Sequence, residues 1–233
     1  MEAIVLVGGL GTRLGALTKE TPKPMLPIRG TPFLERLLVF LKEQGVKNVV
    51  LAVGYKREVV ESYFSQKNND LPEIRYSVEN SPLGTGGAIA QAIQKTDSEK
   101  VFVLNGDSYL DLNFQEMADF HDRCQAEITI ASYFIKPADR YGVMEVSDSC
   151  EVLNFSEKGV FQEGLINGGV YLLNTAALAE IFTNLSKEVF SFEEEVLSNS
   201  SLSLRKYHFQ TQGYFLDIGI PADYARAQDE LFV

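Results

Sequence analysis

Tryptophan is absent from this chain, and histidine and cysteine occur only twice each. Cys124 and Cys150 stand apart, with no C-x-x-C pair and no histidine cluster beside them. A zinc site or a redox dithiol motif is thereby excluded, and both thiols are expected to be free. His121 and His208 fall in no catalytic pattern, so each is expected to be structural or exposed. Cations are outnumbered: 21 Lys and Arg stand against 32 Asp and Glu, a formal charge of -11. Nucleic acid and anionic membranes reward a concentrated basic face, so neither is an expected partner. An anionic partner must be small and met by a few gathered cations. Long apolar runs are missing too. The run Ala3 to Val7 is too short for a secretory segment and has no basic leader, and nothing approaches a membrane span. A soluble cytoplasmic protein is expected, with residues 1–233 forming one domain large enough to bury a core unaided. Assembly into a homo-oligomer is left open.

What is present is an alternation. Apolar β-rich runs at Ala3 to Val7, Asn48 to Val53, Ile74 to Val78 and Val101 to Asn105 are separated by helix-period segments at Pro32 to Gln44, at Glu58 to Phe64 and from Thr85. This pattern predicts βαβ units: an α/β, Rossmann-like, mostly parallel sheet flanked by helices. Runs at Glu127 to Phe134, Val143 to Val146, Val152 to Phe155 and Gly169 to Leu173 crowd together with fewer helices between them, which predicts antiparallel additions in the second half. Ser191 to Asn199 and Pro221 to Leu231 read as helices, the acidic run Glu193-Glu194-Glu195 forming an exposed face.

The first run feeds directly into Gly8-Gly9-Leu10-Gly11-Thr12-Arg13-Leu14, with Pro22-Lys23-Pro24-Met25 shortly after. Leu14 replaces the third glycine of a dinucleotide fingerprint, and the Gly-Lys-Ser/Thr ending of a Walker A loop is missing. A glycine turn with two cations, one braced between prolines that restrict its backbone, suits the phosphates of a nucleoside triphosphate. Asp107 follows one apolar strand at the sheet edge where open α/β folds bind ligands, and Asp217 ends another apolar run. Either aspartate alone is equally explained as a helix cap; together with the phosphate segment they suit a Mg²⁺ pair. Leu83-Gly84-Thr85-Gly86-Gly87-Ala88 opens a helix where a base or ribose can approach the backbone, although a plain glycine-rich helix start explains the same residues. Glu79, just before it, is an acceptor-only side chain. Guanine offers it two adjacent donors where uracil offers one, so GTP is favoured if Glu79 faces the base; a solvated strand-end glutamate explains it nearly as well.

These motifs, with Asn105-Gly106-Asp107, Glu157-Lys158, Asn167-Gly168-Gly169 and Asp217-Ile218-Gly219 in order along nearly the whole chain, resemble the sugar 1-phosphate nucleotidyltransferases. The resemblance implies that family's glycosyltransferase A-like fold and a Mg²⁺-dependent attack of a sugar 1-phosphate on the α-phosphorus of a nucleoside triphosphate. It implies catalytic roles for Arg13, Lys23 and Asp107, and metal ligation by Asp107 and Asp217. Nucleotide binding would fall to Gly8, Gly9, Gly11, Thr12, Arg13, Glu79, Gly84 and Thr85. Sugar-phosphate binding would fall to Gly142, Glu157, Lys158 and Asn167, with Gly142 and Gly168 leaving room for a ring. Arg140-Tyr141-Gly142 and Tyr214 to Gly219 most resemble the branch that transfers GMP to D-glycero-α-D-manno-heptose 1-phosphate, for surface glycans. Mannose 1-phosphate guanylyl transfer and N-acetylmuramate 1-phosphate uridylyl transfer are the alternatives within the family. A noncatalytic nucleotide-sugar-binding regulatory subunit is the alternative outside catalysis, and it should lack at least one of Arg13, Lys23, Asp107 and Asp217.

Overall fold

The computed structural model describes residues 1–9, 12–67, 70–138, 140–156 and 161–231. Seven strands form the central sheet: β1 (Glu2–Leu6), β2 (Asn48–Val53), β3 (Glu73–Val78), β4 (Lys100–Asn105), β5 (Ile128–Ile135), β6 (Gly164–Asn174) and β7 (Lys206–Thr211). Their order is β7-β5-β6-β4-β1-β2-β3. β4, β1, β2 and β3 are parallel, β7 is parallel to β5, and β6 runs antiparallel to both its neighbours, β4 and β5. The sheet is therefore mixed and mostly parallel, as the alternation predicts.

The inner strands are apolar along their whole length because both faces are covered. Ala3, Val5, Leu51, Phe102 and Leu104 point into one core, packed by α1 (Phe33–Glu43), α2 (Arg57–Phe64) and α4 (Phe114–Arg123). Ile4, Val50, Ala52, Val101 and Val103 point into the other, packed by α3 (Gly84–Ile93) and α5 (Thr175–Leu185). In α1, the buried Phe33, Leu34, Leu37, Leu38 and Leu41 form one apolar stripe at helical spacing. A last helix, α6 (Pro221–Glu230), begins on a proline whose missing N–H costs nothing in a first turn.

The second half holds more helix than its crowded strands suggest. Asn113 caps α4 by accepting from the amides of Gln115 and Glu116, and Asn174 caps α5 by accepting from Ala177. The helix expected over Ser191 to Asn199 shrinks to a single wide turn, Glu193–Leu197. Both histidines are buried. His121 Nδ1 lies 2.8 Å from the Thr129 hydroxyl and His208 Nδ1 lies 2.9 Å from that of Ser132. Cys124 and Cys150 are free thiols. Among the described residues, no helix is long and apolar enough to cross a membrane.

This topology creates the site. From β1 the chain builds outward through β2 and β3, then returns to place β4 on β1's other side. Such a reversal opens a crevice beyond the carboxyl ends of the strands. Gly8 and Gly9 follow β1, Gly54 follows β2, Glu79 follows β3, and Gly106 and Asp107 follow β4.

Candidate active site

Two adjoining cavities occupy the crevice. One, of about 450 Å³, is lined by Gly8, Gly54, Tyr55, Glu79, Pro82 and Gly84 among others. The second, of about 320 Å³, is lined by Arg13, Lys23, Asn105, Asp107, Glu193 and Gly219. Leu6, Gly9 and Thr85 line both. Gly9 thus stands where the two meet.

The second cavity has a charged floor. Lys23 sits in a short 3₁₀ turn, Lys23–Met25, between Pro22 and Pro24, and the Leu26 amide closes that turn on the Lys23 carbonyl at 3.1 Å. The lysine side chain is only 7% exposed. Its Nζ donates to Asp107 Oδ2 at 2.6 Å and to Asp217 Oδ1 at 3.3 Å. Chain-distant aspartates meet because the strand Phe215–Asp217 pairs antiparallel with Ser108–Leu110, and the Ile218 amide donates to the Asp107 carbonyl at 3.0 Å. Gly219 keeps the space clear: a Cβ there would lie 2.8 Å from Asp217 Oδ1 and 3.1 Å from Lys23 Nζ. Burial raises the Asp217 carboxyl above its ordinary pKa and the neighbouring Asp107 charge raises it further, opposed by Lys23 and by the Gly219 amide. Two crowded carboxylates of this kind require a cation, and Lys23 provides one. Arg13 is exposed at the mouth of the same cavity.

Glu79 closes the far end of the first cavity. One carboxylate oxygen accepts the Leu83 amide at 3.1 Å, and the other occupies the space that a Cβ on Gly8 would need, 2.5 Å away. The side chain is half-buried, and desolvation raises its pKa while the Leu83 amide lowers it.

Glu193 joins the two walls. Its Oε2 accepts from the Thr85 hydroxyl at 2.6 Å and from the Ser191 hydroxyl at 3.1 Å, while Oε1 accepts from the buried Tyr171 hydroxyl at 3.4 Å. Tyr171 in turn accepts from Asn167 Nδ2 at 2.8 Å, and Asn167 Oδ1 accepts the Gly169 amide at 2.9 Å.

A family model described as nucleotidyl transferase matches residues 2–232. The chain belongs to that family. This nucleotidyltransferase is 45% identical over 232 residues to the D-glycero-alpha-D-manno-heptose 1-phosphate guanylyltransferase of Aneurinibacillus thermoaerophilus, covering 99% of this chain and 98% of the relative. It is 42% identical over 226 residues to the protein of that name from Campylobacter jejuni, covering 96% and 97%. Among solved structures it matches HddC from Yersinia pseudotuberculosis complexed with GMP-PN, with a TM-score of 0.85, 33% identity and 97% of both chains covered. The nucleotidyltransferase fold implied by the motifs is the fold found.

Most sequence-predicted positions of the nucleotidyltransferase converge on the crevice: Gly8, Gly9, Arg13, Lys23, Glu79, Gly84, Thr85 and Asp107 line it, and Asp217 adjoins it through Lys23. Gly11, Glu157 and Lys158, and the side chain of Thr12, lie outside the described residues. Asn167 lines neither cavity.

The glycines need a different explanation from the one the motif suggests. A Cβ on Gly84 would lie 2.4 Å from the Phe190 carbonyl oxygen, one on Gly86 2.1 Å from the Phe190 ring, and one on Gly87 2.2 Å from the Glu188 carbonyl oxygen. The missing side chains of these residues let α3 pack against the 188–190 segment, while Gly84 still lines the first cavity. The places of the missing side chains at Gly142 and Gly168, expected to leave room for a sugar ring, are likewise filled by the protein itself. Their missing Cβ positions are crowded by the Ser156 carbonyl oxygen at 2.9 Å and by Leu110 at 2.6 Å.

Glu193 is the residue that sequence reasoning passed over. Its place in an acidic triplet suggests a solvated face, yet Glu193 and Glu195 are partly buried and only Glu194 is exposed. Ser191, two residues earlier and able to hold it, is the available signal.

Proposed function

We propose that this nucleotidyltransferase moves GMP from GTP to D-glycero-α-D-manno-heptose 1-phosphate, releasing pyrophosphate. The observation that carries the reaction is the Asp107-Lys23-Asp217 cluster at the floor of a cavity with Arg13 at its mouth. The choice of heptose is supported by the similarity to relatives of that name over essentially their full length.

The nucleophile is a phosphate monoester oxygen, already mostly ionised at neutral pH because its second pKa is about 6. No general base is needed, which suits a site whose histidines are buried elsewhere. The barrier lies in bringing two anions together. At an effective dielectric of about 20, two unit charges about 4 Å apart cost on the order of 4 kcal/mol. Arg13 binds the β- and γ-phosphates and stabilises charge on the departing pyrophosphate; Lys23 neutralises the α-phosphate region. Lys158 binds the sugar phosphate, with Glu157 and Asn167 facing sugar hydroxyls. Glu79 accepts from N1–H and the exocyclic amine of guanine.

Asp107 and Asp217 suit Mg²⁺. They offer hard oxygen donors, both partly exposed beside the cavity, and among the described residues no third Asp, Glu, His or Cys joins them. Such a two-carboxylate set suits an ion that keeps water and takes phosphate oxygens for its other positions. Bound there, Mg²⁺ would supply positive charge to the oxygens of both substrates. A cytoplasmic location, where GTP is made, and action of the chain as one domain belong to the same proposal. The sheet joining strands from both halves supports the latter.

The test is pyrophosphate release with Mg²⁺ across a matrix of nucleoside triphosphates and sugar 1-phosphates. GTP with the heptose 1-phosphate should give the highest kcat/KM. Faster turnover with UTP or dTTP would remove the guanine assignment, and no turnover with any pair would favour a noncatalytic binding protein.

A further inference from the structure

Hydrogen bonds form an unbroken chain from the cavity wall into the strand that carries Asn167. Thr85, which lines both cavities, donates to Glu193; Glu193 accepts from Tyr171; Tyr171 accepts from Asn167; and Asn167 holds the Gly169 amide. The chain begins at the amino end of α3 and ends where β6 changes register between Asn167 and Tyr171. Four residues of β6 there span the length of two on β5, an irregularity of the kind that re-aims side chains. Gly169 there has φ +74°, and a Cβ on it would lie 2.7 Å from Asn105 Nδ2, so the glycine leaves room for a residue lining the second cavity.

Tyr171 is the central link. It is 1% exposed, its ring packs edge-on against Phe192 with centroids 5.3 Å apart, and it lines neither cavity. A hydroxyl at that depth needs partners, since an unsatisfied buried one costs about 1–3 kcal/mol. Its partners are one residue from each side. Phe192 itself is held by its amide donating to the Thr85 hydroxyl at 2.9 Å, so Thr85 is gripped on both its donor and acceptor sides by the 191–193 segment. A displacement of the α3 amino end would therefore pull directly on Glu193 and on the Phe192 amide.

We propose that Glu193 and Tyr171 are positioning residues that couple the nucleotide side of the crevice to the sugar side, so that each substrate orders the other's binding wall. This rests on the reading above that Thr85 faces nucleotide and Asn167 faces sugar. Coupling of this kind is reciprocal: if the nucleotide tightens sugar binding by some factor, the sugar tightens nucleotide binding equally.

The experiment is calorimetric titration, with Mg²⁺ present, of heptose 1-phosphate into protein with and without an α,β-methylene GTP analogue, and the converse titration. Wild type should bind each ligand at least about fivefold tighter when the other is bound, the low end of usual coupling. Tyr171→Phe keeps the buried ring and removes only the hydroxyl, and it should reduce the factor to below about twofold in both directions while each ligand alone still binds. Glu193→Gln, at a partly exposed position, should reduce it as well and serves if the tyrosine variant melts early. Both variants should raise KM for each substrate at subsaturating co-substrate more than they lower kcat. Equal coupling in wild type and both variants, or no coupling in wild type, overturns the relay. Wild type that binds neither ligand overturns the functional reading itself.

Discussion

At the scale of single residues, the site depends on charges held before any substrate arrives. Arg13→Ala and Asp107→Ala should each lower kcat by at least about a hundredfold, the usual loss when a preorganised charge stabiliser is removed. Steady-state kinetics at saturating substrates would show it; a near-normal rate would dismiss that residue from the chemistry. Glu79 carries a pH signature. In the role proposed for it, its carboxyl can accept from both guanine donors only when ionised, and burial raises its pKa, so the KM for GTP should rise as pH falls through that raised value. Glu79→Gln should have a higher KM for GTP at neutral pH and lose this acid limb. The glycines make a contrasting pair. Gly86→Ala would drive a Cβ into the buried Phe190 ring and should cost about 1–3 kcal/mol, whereas nothing lies within 4 Å of a Cβ on Gly9. Urea denaturation of the two variants should separate them clearly.

At the scale of elements, the legible parts were those with one dominant signal. The apolar β1 and β4 announced themselves by hydrophobicity, and α1 by its spacing of Phe33, Leu34, Leu37, Leu38 and Leu41. α4 also had a signal, Asn113 followed three residues later by Glu116, a polar cap ahead of a stripe through Phe114, Met117 and His121. It was masked by the density of strands around it. The wide turn at Glu193 was illegible because its shape answers to Thr85 and Tyr171, residues far away in the chain. α4 also bears on acid stability. Burial lowers the pKa of His121 from 6.5 to about 4 and lowers that of His208 as well. Below pH 6.5 the unfolded chain takes up protons that the folded one refuses, so stability should fall as pH drops from 6.5 towards about 4. Chemical denaturation across that window should show the slope, and His121→Asn should flatten it.

At the scale of the whole molecule, the reaction class rests on a local motif and the acceptor-side residues on scattered ones, for a physical reason. Arg13, Lys23 and the glycine turn lie within one short stretch, whereas the meeting of Asp107 with Asp217 needs two small strands to pair across the sheet's edge. The residues proposed for the sugar, Glu157, Lys158 and Asn167, are scattered along the chain, with no local pattern to unite them. The glycines alone do not say what approaches them, because a missing side chain signals only that something is close. At Gly84, Gly86 and Gly87 the close neighbour is the protein's own 188–190 segment.

The reversed direction of β6 has a consequence for how such a protein can diversify. Because that strand enters the sheet from the catalytic edge, its first residues lie at that edge, while the parallel strands before it deliver only their last residues there. In the proposed reaction, donor and acceptor would be served by separate lengths of chain, one ending strands and the other leading into one. Grafting residues 136–163 from a homologue with another acceptor should change the KM for the sugar phosphate and leave that for GTP nearly unmoved. A new sugar could then be adopted by rewriting one connection, without touching the lysine and aspartates beneath it.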